Sequence, residues 1–205
     1  MQRWILLCVL IAGQMLAPPA LAQQAAPAPP RQPTAADRVA TAAAERKAAL
    51  DRALAALKSA GSEQEAAPLE ARVRQMWLNA GTPAVTLLIG RGQRELKAGA
   101  PAEAERDFQA ALVLDPDSVE AWHHIAQARF TAGDFAGAVA AVGETLRREP
   151  RHFAAFQTLS RFAEAREDWK SAYEAWSQAM DIAPKLEGGE TKLKDLKRRA
   201  LGDET

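Results

Sequence analysis

The sequence predicts an all-α protein, a solenoid of antiparallel helix pairs with an N-terminal helical hairpin and a C-terminal capping helix. Three observations predict it. Alanine, the strongest helix former, fills 47 of 205 positions, while the strand formers Val and Ile number 8 and 5. Columns of similar residues recur every 34 positions between 85 and 184. Inside each 34-residue unit the apolar residues recur at helical spacing. Lys plus Arg equals Asp plus Glu at 26 each, which argues against a nucleic-acid partner held by phosphate neutralisation.

Residues 1–22 read as a secretory leader. A basic start ending at Arg3 precedes the apolar run Trp4 to Leu16, Pro18 and Pro19 break it, and Ala20-Leu21-Ala22 is a small-x-small cleavage site. The apolar run falls short of the roughly 20 residues a spanning helix needs, although a retained anchor stays open as the alternative. Cleavage is expected after Ala22 and the periplasm is the expected compartment. The one cysteine, Cys8, lies inside this leader, so the chain beyond it has no thiol to form a disulfide. Residues 23–34 carry Pro27, Pro29, Pro30 and Pro33 and read as an extended, semi-rigid linker.

Residues 35–80 form the predicted hairpin. Its first helix, Asp37 to Ala60, carries Val39, Ala43, Arg46, Leu50, Leu54 and Leu57 along one stripe, and Gly61 ends it. Ser62-x-x-Glu65 is the pattern of a capping box for the second helix, which presents Leu69, Val73, Met76 and Trp77 on one face. The pair is expected to stack as a degenerate fourth unit, out of register with the others. A short coiled coil is the competing arrangement.

The three regular units span 85–118, 119–152 and 153–184. Pro116, Pro150 and Pro184 stand 34 residues apart; so do Ala104, Ala138 and Ala172, and so do Leu88, Trp122 and Phe156. Leu112, Leu146 and Met180 form a fourth column, and the small residues Gly92, Ala126 and Ser160 a fifth. In the middle unit Val119 to Thr131 is the first helix, Gly133-Asp134 the turn, and Phe135 to Glu149 the second helix. The small columns let two backbones approach, the bulky columns fill the space beside them, and each proline ends a pair. In 185–205, Glu190 to Leu201 offers Leu193, Leu196 and Ala200 as a closing helix, since an end unit otherwise exposes its packing face.

This pattern resembles the tetratricopeptide repeat, W-x2-L-G-x2-Y then A-x3-F then P. The middle unit matches through Trp122-x2-Ile125-Ala126, Ala138-x3-Val142 and Pro150. Arg91 departs from it at an apolar column, Glu95, Arg129 and Ala163 replace the usual Tyr, and Glu167 replaces a turn glycine. The resemblance implies a concave groove lined by the first helix of each pair, and a protein or extended peptide held there without catalysis. Opposite the packing stripe lie Glu120, His123, Gln127 and Phe130, with Gln93 before them and Gln157 and Arg161 after. Gln93, His123, Gln127, Phe130, Gln157 and Arg161 are the candidate partner contacts. The Lys and Asn clamp with which members of the family hold a terminal carboxylate is absent.

Little in the chain carries catalytic chemistry. No Gly-rich phosphate loop and no G-x-S-x-G elbow occurs. His123 and His124 are adjacent and diverge by about 100° on a helix. His152 can approach His123, but two imidazoles without a third ligand make a poor zinc site. The expectation is therefore no enzyme, no cofactor and no metal, with the histidines on the surface or in the groove. Membrane contact is expected only through the basic helix holding Lys192, Lys194, Lys197, Arg198 and Arg199. Self-association, as a structural subunit of an envelope complex, is the alternative to partner binding.

Overall fold

The computed structural model describes residue 32 and residues 34–202; the leader, its cleavage site and most of the linker lie outside these. Among the described residues the chain forms nine α-helices and no strand: α1 Ala35–Lys58, α2 Glu63–Leu78, α3 Pro83–Lys97, α4 Pro101–Leu114, α5 Val119–Thr131, α6 Phe135–Arg148, α7 Phe153–Glu164, α8 Trp169–Ile182 and α9 Gly189–Leu201. The pairs α3/α4, α5/α6 and α7/α8 are antiparallel hairpins stacked in order, and α9 packs on α8. Among the described residues no helix is long and apolar enough to cross a membrane.

The 34-residue columns do what close packing demands. Ala104, Ala138 and Ala172 are completely buried. They face Gly92, Ala126 and Ser160, and a Cβ added at Gly92 would stand 2.5 Å from Phe108 Cε1. The hydroxyl of Ser160 donates to the Ala172 carbonyl at 2.9 Å. Arg91, the charge in an apolar column, swings outward and forms a two-pronged ion pair with the Asp107 carboxylate on α4. Arg129, at a Tyr position, reaches Glu105 at 2.8 Å.

Helix ends follow local chemistry. Ser118, Asp134 and Asp168 cap α5, α6 and α8 with side-chain oxygens, and Pro83 and Pro101 open α3 and α4. α1 begins earlier than the stripe suggested, because Thr34 and Asp37 form a reciprocal capping box. The expected box at Ser62 is only half made: Ser62 caps the Glu65 N–H, while the Glu65 carboxylate accepts from Gly61 N–H at 2.9 Å.

The hairpin is the main correction. It does not stack as a fourth unit ahead of α3. Instead it folds back across the inner face of the solenoid, with α2 against α5 and reaching α3 and α7 through its last turns, and the second half of α1 against α8. Glu63, at the start of α2, accepts the Gly188 N–H at the far end of the chain (3.2 Å), and the Leu78 carbonyl, at its end, accepts from Thr86 on α3 (3.4 Å). Ala53, Leu54, Leu57, Ala66, Val73 and Trp77 enter one core with Phe153, Trp176, Met180, Leu186 and Leu196. The expected stripe on α1 is therefore only half used. Every residue from 35 to 48 is exposed, Val39, Ala43 and Arg46 included.

Candidate binding groove and its buried histidine cluster

The inner wall of the solenoid is made by α3, α5 and α7, and the occupant of the groove is α2. Trp77 stacks on the His152 imidazole with ring centres 4.0 Å apart and tilts against Phe153 at 5.3 Å. Arg74, one turn earlier, donates to Gln157 Oε1 at 2.9 Å and lies over the Phe153 ring. Arg151, two residues before α7, holds Asp51 of α1 at 2.7 Å. α2 brings its own anchors: one aromatic, one cation and a buried valine. Between α2 and the wall a cleft of about 370 Å³ remains, lined by Arg74, Gln75 and Leu78 above and Gln93, Glu120, His123, His124 and Gln127 below.

Beneath this cleft all three histidines of the sequence converge on one carboxylate. Glu120, His123, His124 and His152 are each no more than 9% exposed. His152 is the N-cap of α7: its Nδ1 accepts the Ala155 N–H at 3.0 Å, so its Nε2 carries the proton and donates to Glu120 Oε1 at 3.2 Å. His124 Nε2 lies 3.3 Å and His123 Nδ1 3.6 Å from Glu120 Oε2. Burial alone would raise the Glu120 carboxyl, but the contacts from His123, His124 and His152 together hold it well below the usual range. Burial pushes His123 down to about 4, against the pull of Glu120. At neutral pH the cluster is thus an anion surrounded by imidazoles, with His123 uncharged. His123 and His124 line the groove but are buried rather than at the surface, because α2 roofs them and α7 closes beside them.

The geometry of the units and the comparisons agree. Residues 95–161 match the family model described as tetratricopeptide repeat. Residues 95–161 therefore carry tetratricopeptide repeats. The chain is 23% identical over 159 residues to a TPR repeat-containing protein of Rhizobium etli, covering 78% of each chain. Among solved structures it is similar in fold to the first TPR of Spaghetti (RPAP3) bound to an HSP90 peptide, at TM-score 0.53 and 16% identity, over 58% of this chain and 96% of that one. The MamA protein is similar at TM-score 0.51 and 19% identity, over 78% and 86%.

Within this groove the six candidate contacts separate. Gln93, His123 and Gln127 meet around the cleft: Gln93 Nε2 lies 2.7 Å from His124 Nε2, and His123 Nε2 is shared by Thr158 at 3.0 Å and Gln127 at 3.1 Å. Gln157 is taken by Arg74. Phe130 is not a groove anchor; it stacks on Phe162 with ring centres 4.1 Å apart and packs edge-on against Phe135. Arg161 stays exposed, while Glu164, three residues on, binds Lys192 at 2.7 Å. The basic closing helix also turns inward in part: Lys192 lies over Trp176 and Arg199 over Trp169. The residues missed from sequence are Glu120 as the hub, and Trp77 and Arg74 as the hairpin's anchors. Trp77 and Arg74 share a face of α2 at i, i+3, but nothing in the spacing names the distant surface that receives them.

Proposed function

We propose that this protein is an exported, non-catalytic scaffold for protein–protein interaction, acting in the periplasm, whose concave groove is held shut by its own α1/α2 hairpin. One observation carries this reading: the inner face already seats a helix through a stacked tryptophan, an arginine and a buried valine. A surface that accepts α2 accepts a partner helix presenting the same anchors, and helix-in-groove recognition works through such spaced side chains. The partner then competes with α2. An acidic tail such as the HSP90 peptide bound by Spaghetti fits less well, because the cation over the groove, Arg74, belongs to the occupant.

The test uses the full chain carrying Trp77→Ala and Arg74→Glu, with a fluorescent peptide of residues 62–80 as the probe. The peptide is expected to bind the variant at least tenfold more tightly than the native chain, by anisotropy. Equal binding to both, or to neither, sinks the closed-groove reading. Export is tested separately by sequencing the N-terminus of the chain made in a Gram-negative host: a start at Gln23 supports it, and an intact leader in the cytoplasm removes the periplasmic assignment.

Self-association stands as the second reading because every residue in the first half of α1, 35–48, is exposed, and the stretch is rich in alanine. A solution mass above the monomer that returns to the monomer when residues 23–48 are deleted would favour it.

A further inference from the structure

We propose that Glu120, His123 and His152 form a binding site for a single late first-row transition-metal ion, zinc being the type case. One ligand atom from each of these residues lies within 4.8 Å of the others, and all three residues are buried. Atoms bound to one zinc at about 2.0–2.1 Å stand roughly 3.3 Å apart in a tetrahedron. Here Glu120 Oε1 is 3.2 Å from His152 Nε2, and Glu120 Oε2 is 3.6 Å from His123 Nδ1. The two imidazoles reach the carboxylate through different oxygens and the full set lies within 4.8 Å, so a side-chain adjustment closes it on one ion.

A second observation separates this cluster from a plain hydrogen-bond network. His123 Nδ1 is buried with no hydrogen-bond partner, although it faces the Glu120 carboxylate. A buried polar atom left unmatched in a native fold calls for an explanation, and a bound ion is one of the few. The donor set also suits the metal class: two imidazoles and one carboxylate select zinc and its neighbours over calcium or magnesium. Glu120 and His123 line the cleft under α2, and His152 lies behind them.

Three features of the surroundings shape the site. His152 caps α7 through Nδ1, so metal binding at Nε2 requires its proton to move to Nδ1 and the cap bond to Ala155 to be given up. That loss is small beside the affinity of a three-ligand zinc site. Glu120 supplies one negative charge; α2 brings Arg74, whose charge is answered by Glu70 at 3.9 Å. His124 and Gln93, which bond to one another, stand beside the site as outer partners. The ion would tie α5 to the start of α7, a junction where α6 and α7 meet more sparsely than α4 and α5 do.

The experiment uses the untagged chain from residue 23 onward, stripped with chelator and titrated with Co²⁺ and then Zn²⁺. One Co²⁺ per chain is expected, with the visible absorption of a four-coordinate ion, displaced by one equivalent of Zn²⁺, and with a rise in melting temperature. Glu120→Gln keeps the side chain's shape, and His152→Asn keeps a good helix cap while removing the imidazole. Each should weaken metal binding at least tenfold, as should His123→Gln, while His124→Gln retains it. Circular dichroism of each apo variant checks that helix content is unchanged. No binding by the native chain overturns the proposal, as does affinity equal in the native chain and the Glu120→Gln and His152→Asn variants. Loss of binding on His124→Gln alone would overturn the ligand assignment. None of these outcomes depends on whether the groove opens for a partner, so the two readings fail separately.

Discussion

Glu167 sits at φ +59° in the turn between α7 and α8, where the two preceding pairs use Gly99 (φ +79°) and Gly133 (φ +86°). A side chain in that left-handed region costs about 1–2 kcal/mol, and glycine avoids it while giving back part of the gain through its freer unfolded chain. Glu167→Gly should therefore stabilise the fold by about 1 kcal/mol, raising the melting temperature by roughly 2–4 °C in a calorimetric scan. A lower melting temperature would show that Glu167 makes a compensating contact. Gly92 is the opposite case, since an added methyl meets Phe108 and the Ala104 carbonyl. Gly92→Ala should destabilise by about 1–3 kcal/mol through overpacking. The same residue scale explains Arg91. Its guanidinium holds the Asp107 carboxyl below the usual range, so the pair's contribution is full above the unfolded carboxylate value near 4 and is lost as pH falls through the lowered folded value. Asp107→Asn should lower stability at neutral pH and flatten the acid limb of a pH–stability curve; an unchanged acid limb would remove this pair as its source.

At the scale of elements the hairpin decides what the groove can do. Trp77→Ala removes the ring stacked on His152 and should cost about 3–5 kcal/mol of local stability. Because α1 and α2 form their own hairpin, this loss need not unfold the repeats. Amide exchange in α2 is expected to quicken at least tenfold while α4 and α6 keep their protection. Uniform quickening would mean that the hairpin and the repeats unfold as one. The repeats were legible in the sequence because their contacts are local and periodic: Ala104, Ala138 and Ala172 each meet a small residue twelve positions earlier in their own unit. The hairpin's place was not, because Trp77 meets His152 and Glu63 meets Gly188 across long stretches of chain, with no period to announce the pairing. The same blindness hid the cluster. Adjacent His123 and His124 do not diverge: their rings lie nearly parallel with centres 5.4 Å apart, both turned toward Glu120 Oε2 one turn before them.

At the scale of the whole molecule the α1/α2 hairpin and the closing helix α9 are joined through one core. In an ordinary solenoid each unit contacts only its neighbours, but here α1 and α2 share one core with α7, α8 and α9, while the first two pairs and part of α7 form another. Leu196 on α9 is the far edge of the first core and is almost completely buried. Leu196→Ala should therefore cost about 2–5 kcal/mol, a range set by how well the site collapses. Its effect should travel by shared packing, loosening α8, α9 and the docked face of α2 while leaving α3 and α4 protected. Hydrogen exchange followed by mass spectrometry separates the two patterns. Loosening confined to α8 and α9 would mean that the hairpin and the closing helix only touch; loosening that includes α2 would make the closing helix a second control on whether the groove is shut.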